Sequence, residues 1–169
     1  KEIADGAIYK AEFEQIRKDN RICKVPHDPN LPVYTSWDLG ILDSTAIWFF
    51  QVYGKEIRVI DYYEASDEPL SHYARILDEK KAQYGYHYDK HFAPHDIAAR
   101  DLSSGVSREQ TMANLGYRMT KGARLGVEDR IEATRQMLKN CWFDADKCKH
   151  GVKALQNYRR EFNDKLEQF

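Results

Sequence analysis

Cysteine is scarce in this chain. Three residues of 169 are cysteine, Cys23, Cys141 and Cys148. An odd and small number cannot close a disulfide framework, so the sequence fits a reducing compartment better than a secreted scaffold. The Cys141-x6-Cys148-x-His150 spacing is not that of a zinc site either. Long apolar runs are absent. The longest is Ala46-Ile47-Trp48-Phe49-Phe50, far below the roughly 18 residues a membrane span needs. Lys1 to Gly6 carry no apolar signal-peptide core, so nothing points to secretion. There is no Gly-x-x-x-x-Gly-Lys-Ser/Thr loop and no Gly-x-Ser-x-Gly elbow, which excludes a Walker-type phosphate site or a hydrolase nucleophile turn within these residues. Nor is there an excess of one charge. Lys+Arg number 26 and Asp+Glu 27, a net charge of −1, which excludes a uniformly basic nucleic-acid coat protein. Internal repeats and low-complexity tracts are also lacking.

What is present describes one globular domain over residues 1–169. Hydrophobic residues make up 42% and charged residues 31%, the balance of a water-soluble chain with a sizeable core. A domain of ~150 residues buries roughly 70% of the surface its unfolded chain exposes. The charge is unevenly placed. Residues 1–68 hold 8 Lys+Arg against 13 Asp+Glu, and residues 69–169 hold 18 against 14. An acidic site flanked by a basic surface has this distribution, and so do two ordinary solvated faces.

Apolar Ala7, Ile8, Ala11, Phe13 and Ile16 recur at helical spacing, so the chain opens with a helix that stops near Asn20. A proline- and aspartate-rich loop, Pro26 to Pro32, follows. Three strands come next, at Val33–Asp38, Thr45–Tyr53 and Glu56–Tyr63, rich in β-branched and aromatic residues. The breaks between them are too short for a crossover, so residues 33–63 form an antiparallel meander. A helix from Pro69 to Gly85, a strand over Tyr88–Ala93, a helix begun by the Ser107/Gln110 capping pattern, a strand over Tyr117–Thr120, a helix from Gly126 to Asn140 and a brief extended Trp142-Phe143 follow. A last helix, capped by Asp144 or Asp146, carries Val152, Leu155, Tyr158 and Phe162. This order predicts an α/β domain, a mixed sheet with an antiparallel three-strand meander plus parallel strands, flanked by helices as in the ribonuclease H-like fold. Half of an actin-like ATPase begins the same way.

Two stretches concentrate the chemistry. Asp38, in Trp37-Asp38-Leu39-Gly40, closes a strand that should be central, where a carboxylate is costly unless paired, hydrogen-bonded or metal-bound. Gly40 permits a tight turn there. Asp96, in Pro94-His95-Asp96, again sits at a strand end. In a ribonuclease H-like sheet these two ends are neighbours, and two facing carboxylates repel unless a cation lies between them. Mg²⁺ suits such a pair, with water and phosphate completing its shell. Each aspartate taken singly is equally a turn residue. Glu64, just past the third strand, either reaches the same site or caps a turn. His95 is a candidate ligand or proton shuttle, although a side chain beside Asp96 is expected to point elsewhere. Asp43 shapes the turn, and Asp61 and Asp101 are expected to be solvated. Lys121, Arg124, Arg130, Arg135 and Lys139 gather around Thr120-Lys121-Gly122-Ala123-Arg124-Leu125-Gly126, a junction suited to DNA backbone contact or to a plain flexible hairpin. Arg100 and Arg108 are further basic candidates.

Taken in order, Gly6-Ala7-Ile8-Tyr9, Trp37-Asp38-Leu39-Gly40 with Asp43-Ser44-Thr45-Ala46, Val59 to Glu64, Pro94-His95-Asp96, Lys121-Gly122 and Leu155 to Arg159 resemble the C-terminal nuclease domain of the large terminase subunit of tailed bacteriophages. The resemblance implies a metal-dependent endonuclease that cuts double-stranded viral DNA during packaging, in the host cytoplasm and away from membranes. It implies two Mg²⁺ or Mn²⁺ ions, with Asp38 bridging both and Asp96 holding one. A third aspartate belongs to a later Ser-His-x-Ala-Asp-Ala pattern that this sequence does not contain, nor does it contain the family's N-terminal ATPase domain. That ATPase domain, the portal protein and the small terminase subunit are the implied partners. A non-catalytic DNA- or portal-docking module and a junction resolvase are the alternative readings.

Overall fold

A computed structural model describes residues 6–40 and 44–159. Asp43 and Phe162 therefore lie outside the described residues. The elements in chain order are α1 (Lys10–Lys18), β1 (Ile22–Cys23), β2 (Val33–Leu39), β3 (Ser44–Tyr53), β4 (Glu56–Ser66), α2 (Leu70–Tyr84), β5 (Tyr88–Ala93), a 3₁₀ turn (His95–Ala98), α3 (Arg108–Asn114), β6 (Met119–Lys121), α4 (Val127–Leu138), β7 (Cys141–Asp144) and α5 (Lys149–Gln156).

The meander is the first thing the sequence dictates. In β2, Val33, Thr35 and Trp37 are buried while Asp38 is exposed, the period-2 signature of a strand. β3 pairs antiparallel with β2 on one side and with β4 on the other. Longer connections through helices then add parallel strands, β5 beside β2, β6 beside β5 and β7 beside β4. The result is a seven-stranded mixed sheet in the order β1-β7-β4-β3-β2-β5-β6.

Each face of the sheet carries its own core. Trp37, Ile47, Phe49 and Ile60 pack with Tyr73 and Leu77 of α2, with Tyr86, and with Met112 of α3. On the other face Val59 and Phe143 pack with Phe13 and Ile16 of α1, Ile131 and Leu138 of α4 and Val152 of α5. Phe13 and Ile16 are fully buried. Together they contribute about 3–6 kcal/mol, which outweighs the marginal intrinsic stability of a nine-residue helix. α3 starts where the capping pattern places it, with Ser107 Oγ accepting the Gln110 amide at 3.0 Å.

The structure departs from the sequence reading at several points. β1 lies where the sequence predicts only a connection, because a two-residue strand has no period to detect. It exists because it pairs with β7 and because the buried Arg21 guanidinium donates to the carbonyls of Leu138 and Cys141 at 2.8 and 2.9 Å. β4 runs three residues beyond Tyr63, so Glu64 is inside the strand, opposite Ala46. Asp61 is buried, not solvated. It accepts Lys80 Nζ at 2.7 Å and the Tyr86 hydroxyl at 2.9 Å, tying β4 to α2. α5 ends at Gln156, and Tyr158 stacks on Tyr9 at 5.9 Å instead of extending it. Asp144 does not cap α5. Its two oxygens accept the amides of Val25 and Lys147, both at 2.9 Å. Cys141 and Cys148 are core thiols, pushed up to about 12 by burial.

One buried group makes stability depend on pH. Thr35 Oγ1 and His91 Nδ1 share a hydrogen bond of 2.6 Å, and Thr35 accepts the Trp37 indole N–H at 2.8 Å. Burial lowers His91 to about 4. The unfolded chain takes up this proton near pH 6.5 and the folded one does not, so stability is full above that pH and falls as pH drops toward 4. The loss should reach about 3 kcal/mol at the lower end. Urea midpoints for the wild type and His91→Gln, compared from neutral pH down to the acid end of this window, should converge as pH falls.

Candidate active site

The antiparallel registers bring two carboxylates onto one row. Asp38 of β2 pairs with Ala46 of β3, and Ala46 pairs with Glu64 of β4. Cross-strand partners face the same way, so Asp38 and Glu64 flank the small Ala46 on the face opposite Trp37. Their Cα atoms are about 10 Å apart, two strand spacings. Both are exposed, and with Ser44, Thr45 and Ala154 they line a cavity of about 550 Å³. Gly40 closes the strand end, its amide donating to the Ser44 carbonyl at 2.8 Å, and a Cβ there would run into Ser44 Oγ.

The wall behind this row is aromatic. Tyr62 stands two residues before Glu64 on the same strand face, packs on Trp48 with ring centroids 4.5 Å apart, and donates its hydroxyl to Glu64 Oε2 at 2.9 Å. Burial raises the Tyr62 phenol far above its ordinary range, and the negative charges of Glu64 and Asp38 add to this. Tyr62 is therefore a permanent donor that orients Glu64. α5 holds it in place through Gly151, where an added Cβ would lie 2.5 Å from Trp48 Cη2 and 2.7 Å from Tyr62 Cδ2. Nothing in the sequence pattern distinguishes Tyr62 from the other tyrosines, or Gly151 from an ordinary helical glycine.

Asp96 lies at the same end of the sheet but in a second cavity. β2 and β5 are parallel neighbours, and the pairing of Ser36 with Phe92 sets Asp38 level with Pro94, with Asp96 two residues further on. Its carboxylate is 68% exposed and faces Arg108 at 3.9 Å. An exposed pair at that distance is worth about 1 kcal/mol or less, so it is easily displaced. Asp96 and His95 share a cavity of about 580 Å³ with Arg124 and Arg130. His95 and Asp96 thus line the same cavity.

The basic cluster seen along residues 121–139 divides. Lys121 pairs with Glu109 at 3.5 Å, Arg135 with Glu12 at 3.2 Å, and Lys139 donates to Gln136 at 3.0 Å. Arg100 is exposed and bridges to Ser107 through its backbone, and it lines neither cavity. Arg124 and Arg130 face the second cavity and make no ion pair among the described residues.

Among the described residues, no group of three or more His, Cys, Asp or Glu could hold a metal ion. The donors that are present are exposed carboxylates, hard oxygen ligands that suit Mg²⁺ or Mn²⁺ and not soft metals. Mg²⁺ binds through one or two carboxylates and completes its shell with water and phosphate, so the donors here fit such an ion.

Neither a family model nor a curated protein sequence matches the chain. Solved structures do. The large terminase from a thermophilic bacteriophage, in complex with ADP, aligns with a TM-score of 0.68 over 98% of this chain and 39% of its own, at 16% identity. The P22 large terminase nuclease domain aligns at 0.62 over 84% of this chain and 76% of its own, at 13% identity. The large terminase nuclease from thermophilic phage G20c with bound magnesium aligns at 0.58 over 96% and 85%, at 11% identity. The chain has the ribonuclease H-like fold of large-terminase nuclease domains. It spans about two fifths of the length of the ADP-bound terminase. A cobalt-bound form of the G20c nuclease aligns as well, at 0.60 and 12% identity.

Within this terminase nuclease fold, the contact of α5 with Trp48 and Tyr62 becomes a test of how the Glu64 side of the site is built. Gly151→Ala should destabilise the domain by about 1–3 kcal/mol, through overpacking. Tyr62→Phe, which loses one hydroxyl, should cost less. Thermal melts of the two variants check the order.

Proposed function

We propose that this chain is the nuclease domain of a phage large terminase and hydrolyses phosphodiester bonds of double-stranded DNA with the help of divalent metal. The observation that supports this best is the pair of exposed carboxylate sites, Asp38 with Glu64 and Asp96, at one end of a sheet with the terminase nuclease fold. On this reading residues 1–169 form one nuclease domain of a larger protein. That protein works in the host cytoplasm with an ATPase domain on the same polypeptide, a portal and a small subunit.

Asp38 and Asp96 are the residues proposed to hold two Mg²⁺ or Mn²⁺ ions, with Glu64 as the further ligand on the Asp38 side. Bound there, such ions would neutralise charge at the scissile phosphate and acidify the attacking water. The chain's own groups do the rest. Asp38 and Asp96, extending from adjacent parallel strands, fix the site relative to the sheet. Tyr62 keeps Glu64 turned toward the cavity by donating to one of its oxygens. Lys121, Arg124, Arg100 and Arg108 are proposed to hold phosphates of the duplex, which the acidic row alone would repel. In the reaction a water oxygen would bond to phosphorus as the bond to the 3′ oxygen breaks, the water releasing a proton to solvent and the departing 3′ oxygen taking one up, which leaves a 5′ phosphate and a 3′ hydroxyl. Because these cations would meet phosphates and not bases, duplexes of unrelated sequence are the expected substrates.

Asp38→Asn should abolish cutting of linear duplex while leaving duplex binding intact or tighter, because a negative charge facing the phosphate is removed. Chelation with EDTA should stop cutting by the wild type, and Mg²⁺ or Mn²⁺ should restore it. A nicking assay beside fluorescence anisotropy checks both. Cutting by Asp38→Asn at the wild-type rate would overturn the site. Binding without cutting under every metal condition would favour the docking reading.

A further inference from the structure

We infer that the cavity between the 3₁₀ turn and the start of α4 is a seat for a backbone phosphate of the bound duplex, with Arg130 its helix-borne anchor, Arg124 its second cation and His95 a further donor in its lining. This rests on the nuclease reading and specifies how the same site would grip its substrate.

Several observations converge on this cavity. It has about 580 Å³ of open volume, enough for a phosphate and its water, and Asp96 lies on its wall. Arg124 and Arg130 both line it, and neither makes an ion pair among the described residues. Arg108 and Lys121, by contrast, face the carboxylates of Asp96 and Glu109. An arginine fork without a partner matches two phosphate oxygens at once, which an ammonium cannot do. Only Asp96 among the lining residues is acidic, so the cavity is a cationic seat next to a carboxylate.

The supports are rigid where rigidity counts. Arg130 closes the first turn of α4, its amide bonded to the Gly126 carbonyl at 3.1 Å, and the next residue, Ile131, is 3% exposed in the core. Arg124 lies in the loop between β6 and α4. That loop is tied to the end of β5 by the Gly122 amide, which donates to the Ala93 carbonyl at 2.9 Å. The same β5 end leads directly into Pro94, His95 and Asp96. The phosphate seat and the proposed metal ligand Asp96 are thus positioned by one strand end, which would set a fixed spacing between the gripped phosphate and the scissile one.

The test uses the whole chain in the Asp38→Asn background, so that binding is read without cutting. Anisotropy with unrelated linear duplexes about 20 base pairs long, across a salt series, gives the slope of log K against log salt. Arg130→Gln should weaken binding by about tenfold at moderate salt, equally for each sequence, and reduce the slope by about one. Arg130→Lys should recover the slope, which counts charge, but only part of the affinity, which needs the fork. Arg124→Gln is the second variant, on a loop outside the core, and should show the same loss with an unchanged melting temperature. If Arg130→Gln and Arg124→Gln both bind with the parent's slope and affinity, the seat is wrong while the nuclease reading stands. If the Asp38→Asn parent binds no duplex at any salt, the DNA reading fails and the seat falls with it.

Discussion

The alternation of the meander is the constraint on which everything else hangs. A strand sends successive side chains to opposite faces, so a sheet covered on both sides must sort each residue into one core or the other. Here β2, β3 and β4 do so together, and the same sorting that sends Trp37 and Ile47 into one core turns Asp38 and Ala46 toward the other face. One slip of register would bury Asp38 and expose Trp37. The site therefore inherits its precision from the packing of the two cores.

A single irregularity reconciles β4 with both faces. Between Phe49 and Phe50 the pairing jumps from Asp61 to Val59, leaving Ile60 as the extra residue of a bulge. Val59, Ile60 and Asp61 are then buried in succession, which simple alternation does not permit. Val59 joins the core with α1, α4 and α5, Ile60 joins the core with α2, and Asp61 meets Lys80 and Tyr86. Downstream of the bulge Tyr62 and Glu64 fall on the site face. Bulges commonly re-aim side chains near functional sites, and this one lets one strand serve a buried ion pair and an exposed carboxylate. The buried pair itself is weak evidence for stability, since desolvation offsets much of its attraction, but removing either partner would strand a charge.

Helix α5 links packing to chemistry. Gly151 lets it lie directly on Trp48 and Tyr62, so the helix that completes one core also forms the back wall of the Asp38–Glu64 cavity through Ala154. On the far side of β2 the wall is built differently, from the 3₁₀ turn, Arg124 of the loop before α4 and Arg130 of α4 itself. The acidic row and the cationic cavity thus sit side by side at one end of the sheet. On the proposed reading, the neighbouring arginines would offset the repulsion that the carboxylates of the acidic row exert on phosphates.

The meander, the helices on its flanks, the capped start of α3 and the strand-end positions of Asp38 and Asp96 are all legible along the chain. They rest on local periodicity, short connections and turn chemistry, which neighbouring residues settle among themselves. Contacts between residues far apart in sequence set the rest. β1 exists only because β7 pairs with it, and Asp61 is buried only because a bulge turns it toward α2. Tyr62 becomes an orienting group only because α5 presses on it through a glycine. The run of cations after β6 reads as one cluster along the chain, yet folding sends Lys121 and Arg135 to carboxylates and leaves Arg124 and Arg130 facing a cavity beside Asp96. Charges close in sequence part when a helix turns about 100° per residue, and only the packed helix shows which face each one takes.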